Sequence, residues 1–147
     1  MKLTDHFTSE ELSHSDKAIE LKIDNTPPHY VLGKMLVLAM GLEEIRALCG
    51  NHPLKVSSGY RSGALNTAVG SKPTSAHCLG LAADFTVPDW GTPRQIVKAI
   101  VNSGLIYDQV IWECPSKSNP WVHISFDSRA RKMALVIDDS GTKEWMA

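Results

Sequence analysis

Two apolar segments each carry a polar residue where a sheet interior should be dry. Residues 81–87 read Leu-Ala-Ala-Asp-Phe-Thr-Val, and residues 121–126 read Trp-Val-His-Ile-Ser-Phe. Both have the β-branched and aromatic content of buried strands, yet Asp84 and His123 stand near their centres. An unpartnered carboxylate or imidazole in such a setting is costly. The chain can fold this way only if these groups find compensating partners, and a metal ion is one such partner.

The rest of the chain is consistent with one domain of 147 residues, with a mainly helical scaffold over 1–50 and a sheet with its loops over 54–127. The formal net charge of −1 gives no global field toward nucleic acid or an anionic membrane. Residues 1–15 are polar and acidic, without the basic start and apolar run of a signal peptide. The most apolar stretch, 31–40, is broken by Gly33 and Lys34 and is too short to span a bilayer. These features predict a protein made and left in the cytoplasm, without membrane insertion, that something else must release if it acts outside. Three cysteines, at 49, 78 and 114, cannot complete a disulfide framework. A monomer is the expected state.

Local patterns predict the elements. Thr8 or Ser9 caps a short helix, and a turn-rich loop follows through 24–28. Leu32, Met35, Leu36, Ala39, Leu42, Ile45 and Leu48 recur at helical spacing over 28–48, ahead of the stop at Gly50. Residues 54–58 alternate like a strand and run into a glycine bend at 59–63. One or two helical turns follow over 64–69, and 70–75 is a loop. Thr92 and Pro93 start a helix reaching about Ser103. Strands at 109–113 and 121–126 flank a hairpin loop, 133–137 is an edge strand, and 138–141 is a turn. Helices first and strands later imply an α+β domain with a small antiparallel sheet flanked by helices.

Chemistry concentrates in that sheet. His77, Asp84 and His123 would supply two imidazoles and a carboxylate to a metal, leaving a fourth position for water. If Glu113 pairs with Trp121, Ile111 lies opposite His123, and residues 111, 113, 121 and 123 share one face. Glu113 is then a diagonal neighbour of His123 and can take a proton from water attacking a carbonyl. Arg61 can hold a substrate carboxylate or a developing oxyanion. On spacing alone, two histidines and an aspartate are also compatible with ordinary core or surface positions.

The strings Ser57-Ser58-Gly59-Tyr60-Arg61-Ser62, Ser75-Ala76-His77 with Gly80 and Asp84, and Trp121-Val122-His123-Ile124-Ser125 occur in a telling order. Together they resemble the zinc D-Ala-D-Ala carboxypeptidase family of murein peptidases. That family includes phage-encoded L-alanyl-D-glutamate endopeptidases and shares its fold with the sonic hedgehog domain. The opening, from Phe7 to Leu12 and from Ile23 to Pro27, resembles small phage and prophage members. The resemblance implies a D-Ala-D-Ala metallopeptidase-like fold and one zinc ion held by His77, Asp84 and His123. It implies that Arg61 steadies the substrate and oxyanion, and that Ser75 lies beside the substrate. Many relatives place the catalytic glutamate three residues before the last histidine, where this chain has Pro120. The phage-type branch carries it at the end of the preceding strand, as Glu113 stands here. The alternative for Glu113 is a solvent-exposed carboxylate at the hairpin mouth.

Other polar and aromatic residues have plainer readings. Cys78 is a buried small side chain rather than a ligand. His6, His14, His29 and His52 are surface residues. Trp112 and Trp121 line the cleft or pack the sheet, and Asp127 orients a histidine or closes a turn. Two functions follow from the resemblance: a zinc peptidase acting on the stem peptide of bacterial peptidoglycan, or a non-catalytic zinc module of the same fold. For the first, the missing signal peptide fits a lysis enzyme or a virion component.

Overall fold

The computed structural model describes residues 1–147. Four helices, α1 (Asp16–Leu21), α2 (His29–Leu48), α3 (Gly63–Ala68) and α4 (Pro93–Val101), accompany a six-stranded sheet. Its strands are β1 (Lys55–Ser58), β2 (Ala82–Thr86), β3 (Gln109–Glu113), β4 (Trp121–Ser125), β5 (Met133–Asp138) and β6 (Gly141–Glu144). Their spatial order is β1-β2-β4-β3-β5-β6. The architecture is α+β, as the element pattern predicts.

One face of the sheet makes the core. Ala83, Phe85, Val110, Val122 and Ile124 point to it and pack with Met35, Leu38, Leu42 and Ile45 of α2 and Ile96, Val97 and Ile100 of α4. Burial of these side chains is the main favourable term in the fold. α4 starts as its sequence dictates: Thr92 accepts from the Gln95 amide while the Gln95 side chain accepts from Thr92 N, with Pro93 in the first turn. The opposite face carries Asp84, His123, Ile111 and Glu113. Alternation along each strand therefore separates a dry face from a polar one.

Several expectations change. α2 buries Val31, Met35, Leu38, Ala39, Leu42 and Ile45, whereas Leu36 and Leu48 are exposed. The helix is apolar almost all round, with Tyr30, Val37 and Met40 also exposed, so spacing alone does not choose the inward stripe. α1 and β6 have no counterpart in the expected element list. The strand at 133–137 is not an edge: β5 pairs in parallel with β3 and antiparallel with β6, so the sheet is mixed. β1 carries a bulge between Val56 and Ser58.

Asp108 ties the segment before β5 to the start of β3. It is 1% exposed and accepts from Arg131 Nε at 2.8 Å, Arg131 Nη2 at 2.9 Å and Arg131 N at 3.1 Å. Met133 N bonds Asp108 O at 2.9 Å, so one residue fixes both the start of β3 and the start of β5. Hydrogen bonding from Arg131 holds the Asp108 carboxyl below the usual carboxylate range, against an opposing effect of burial. A depressed native pKa adds stability above the unfolded pKa and loses it as pH falls through the native one. Asp108→Asn should therefore cost about 1.5–3 kcal/mol near neutral pH. In urea titrations, the gap between variant and wild type should close as pH falls below about 4.

Candidate metal centre

The local fold at Gly59 places the first histidine. The 3-10 turn Glu11–Ser13 crosses the chain here, with Tyr60 N donating to Leu12 O at 2.7 Å. A Cβ on Gly59 would lie 2.1 Å from Leu12 O, so only glycine fits beneath that carbonyl. The Gly59 carbonyl in turn accepts from His77 Nδ1 at 2.7 Å. A carbonyl can only accept, so Nδ1 carries the proton and Nε2 is left as the free lone pair. His77 itself sits in the 3-10 turn Ala76–Leu79, whose start Ser75 caps by accepting from His77 N at 3.2 Å.

Register supplies the other two groups. Asp84 faces His123 across β2 and β4, Ser58 faces Asp84 across β1 and β2, and Ile111 faces His123 across β3 and β4. His123 Nδ1 lies 2.9 Å from Asp84 Oδ1, and His77 Nε2 lies 3.4 Å from the same oxygen. One ligand atom from each of the three residues falls within 4.8 Å of the others. Exposure of the three side chains is 3% for His77 and 13% for Asp84 and His123, so the cluster is nearly buried.

The donor set fits zinc. Two imidazole nitrogens and a carboxylate oxygen are its usual ligands, and a tetrahedral ion with bonds near 2.0–2.1 Å spaces them about 3.3–3.4 Å apart. The proton on His77 Nδ1 makes the approach of Nε2 to Asp84 a meeting of two acceptors, unless a cation or a second proton lies between them. Burial pushes the Asp84 carboxyl up, but the hydrogen bond from His123, the bond that His77 donates only when doubly protonated, and the charge of the protonated rings outweigh it. The carboxyl consequently lies well below the usual carboxylate range. The Gly59 bond to the far side of His77 is the kind of outer contact that orients a metal-binding imidazole.

Arg61 and Glu113 flank the cluster. Arg61 Nη2 is 3.7 Å from Asp84 Oδ2, and its side chain is 12% exposed. Its Nε donates to Ser58 Oγ at 3.2 Å, and Nη1 donates to Asn66 Oδ1 at 3.1 Å. The β1 bulge is what turns Ser58 to this face, since an unbroken alternation from Lys55 would have presented Ser57. Glu113 faces Trp121 and is diagonal to His123, in the register expected from the hairpin. It is half-buried rather than fully solvent-exposed. Burial pushes its carboxyl up; the His123 charge opposes the rise and the Asp84 charge adds to it.

A family model described as Peptidase M15 matches residues 5–125. The chain belongs to the peptidase M15 family. This is a metallopeptidase family dependent on zinc, and His77, Asp84 and His123 are the group of this chain placed to hold a metal. No curated protein sequence matches the chain. The family segment contains every residue of the cluster, whereas β5 and β6 lie beyond it.

The remaining sequence expectations sort simply. Cys78 is half-buried rather than buried and stands outside the ligand cluster. His6, His14 and His29 are exposed, while His52 is half-buried. Trp121 lines a groove beside the metal face, whereas Trp112 packs edge-on against Trp145 with centroids 6.3 Å apart. Asp127 accepts from Arg129 N and Nε, closing a turn without touching a histidine.

Asn66 is the residue that sequence reading overlooks. It is 2% exposed, and besides accepting from Arg61 its amide donates to Lys72 O at 2.9 Å and Ser71 O at 3.4 Å. It therefore ties Arg61 to the loop that leads to Ser75 and His77. The available signal was a polar residue in a short helix, one step after the inward-facing Leu65. Asn66→Ala should cost about 2–4 kcal/mol by leaving a buried guanidinium and two carbonyls short of partners, measured by urea denaturation. Asn66→Asp should recover part of that loss, because a carboxylate can still accept from Arg61.

Proposed function

We propose that this protein is a zinc-dependent peptidase that hydrolyses a peptide bond in the stem peptide of bacterial peptidoglycan. The observation that carries catalysis over mere metal binding is Glu113: a half-buried carboxylate on the metal face, one diagonal step from His123. The wall substrate is supported by the three motif blocks around Arg61, His77 and His123, which resemble murein peptidases. Zinc in this setting supplies Lewis acidity toward a carbonyl oxygen and water of lowered pKa.

The residues of the chain divide the remaining work. Glu113 takes the proton from the attacking water at its carboxylate and returns it to the departing amine. Its raised pKa suits both transfers. Arg61, already steered by Ser58 and Asn66, presents guanidinium N–H groups to the negative charge that develops on the carbonyl oxygen or to a substrate carboxylate. Ser75 shapes the wall beside the substrate through the turn that it caps. The substrate reaches the cluster over the sheet face that carries Asp84, His123 and Glu113, and the three ligands stay fixed by sheet register on one flank and the Gly59 carbonyl on the other. The protein acts as a monomer, as a phage or prophage lysis enzyme or a virion component released onto the wall.

One zinc ion per chain should bind, and His77→Ala should weaken binding at least about 100-fold in chelator competition. Zinc-loaded wild type should release new amino termini or D-alanine from purified sacculi, resolved by mass spectrometry of the muropeptides. Glu113→Gln should lower kcat by about 100-fold or more with its zinc retained. A base must be ionised, so activity should fall as pH drops through the Glu113 pKa, with the acid limb of kcat/KM shifted upward from that of a free glutamate. Zinc-loaded wild type that leaves sacculi intact would instead establish a non-catalytic zinc module.

A further inference from the structure

We infer that a groove on the same sheet face as the metal centre binds a carboxylate of the substrate through Lys55, and that this contact selects where the peptide is held. The inference rests on the peptidase reading above. The groove has a volume of about 540 Å³ and is lined by Lys55, Ser57, Thr86, Trp121 and the 118–120 loop, among others. Pairing fixes its relation to the cluster: Lys55 faces Thr86, two residues along β2 from Asp84, while Trp121 lies two residues along β4 from His123. Groove and metal ligands therefore share one sheet face, one step of about 7 Å apart.

Charge gives the ligand class. Lys55 is the sole charged residue lining the groove; no aspartate or glutamate faces it there, and it makes no ion pair elsewhere in the chain. Ser118 and Asn119 add polar groups to the lining, and Trp121 adds an indole ring. A groove of this kind fits an extended peptide carrying a carboxylate. With about 7 Å to the metal row and about 3.5 Å per extended residue, that carboxylate belongs about two residues from the scissile bond. In a stem peptide it comes either from a glutamyl α-carboxyl or from the chain terminus.

Three synthetic stem peptides separate these sources: the parent, its glutamyl carboxamide and its C-terminal carboxamide. Binding is measured by calorimetry on zinc-loaded Glu113→Gln protein, with and without Lys55 substitutions, and cleavage is followed in parallel with Glu113 intact. One of the two amides should bind about tenfold more weakly than the parent, and the gap should shrink as salt rises. Lys55→Ala should bring the ratio near one, Lys55→Glu should invert it, and Lys55→Arg should restore it. Lys55 is exposed on an edge strand, and thermal melts check that each variant is folded. Equal binding of all three peptides, or discrimination that survives Lys55→Ala and Lys55→Glu, overturns the groove assignment alone. Binding and cleavage of none of them overturns both this assignment and the peptidoglycan reading.

Discussion

Asp84 meets His123 Nδ1 at 2.9 Å, His77 Nε2 at 3.4 Å and the Arg61 guanidinium at 3.7 Å from a position in the middle of the sheet. Each of these groups arrives from a different part of the chain, and each would be hard to bury by itself. Their convergence stabilises the polar face, because a carboxylate beside the His123 donor and the Arg61 charge can stay ionised where an isolated one could not. The arrangement also dictates its surroundings. Arg61 needs Ser58 and Asn66 to satisfy its other N–H groups, His77 needs the Gly59 carbonyl, and Gly59 needs the space that only glycine leaves under Leu12.

How far this was legible from sequence depended on the range of the interaction that fixes each feature. The hairpin register, with Ile111 facing His123, follows from strand alternation once Glu113 is set opposite Trp121 at the two strand ends. The start of α4 likewise follows from Thr92, Pro93 and Gln95 alone. The β1 bulge, the Arg61–Asn66 bond and the Asp108–Arg131 clamp join segments whose approach is decided by the whole fold. Nothing within a few residues of Asn66 or Asp108 announces a buried partner. The facing of α2 was missed for the opposite reason: too many apolar residues offered alternative stripes.

The two faces of the sheet obey different physics and are linked only through strand backbones. On the core side, Phe85, Val122 and Ile124 are wholly buried against α2 and α4, giving the strands a rigid backing. On the other side, polar groups one residue away take positions set by that packing rather than by their own attractions. A centre built this way is preorganised: its ligands lose little freedom on capturing an ion, because the hydrophobic face has already fixed their Cα positions.

The β5–β6 hairpin, beyond the family segment, changes the status of β3. Without it, the strand bearing Glu113 would be a sheet margin with a bare ladder of amides and carbonyls beside the candidate metal site. With it, β3 has neighbours on both flanks, and the margin passes to β6, a four-residue strand that is exposed throughout and carries Lys143 and Glu144. Short, charged margins discourage a second chain from adding itself to the sheet. The added hairpin thus leaves the strand bearing Glu113 with no unpaired backbone ladder beside the metal face.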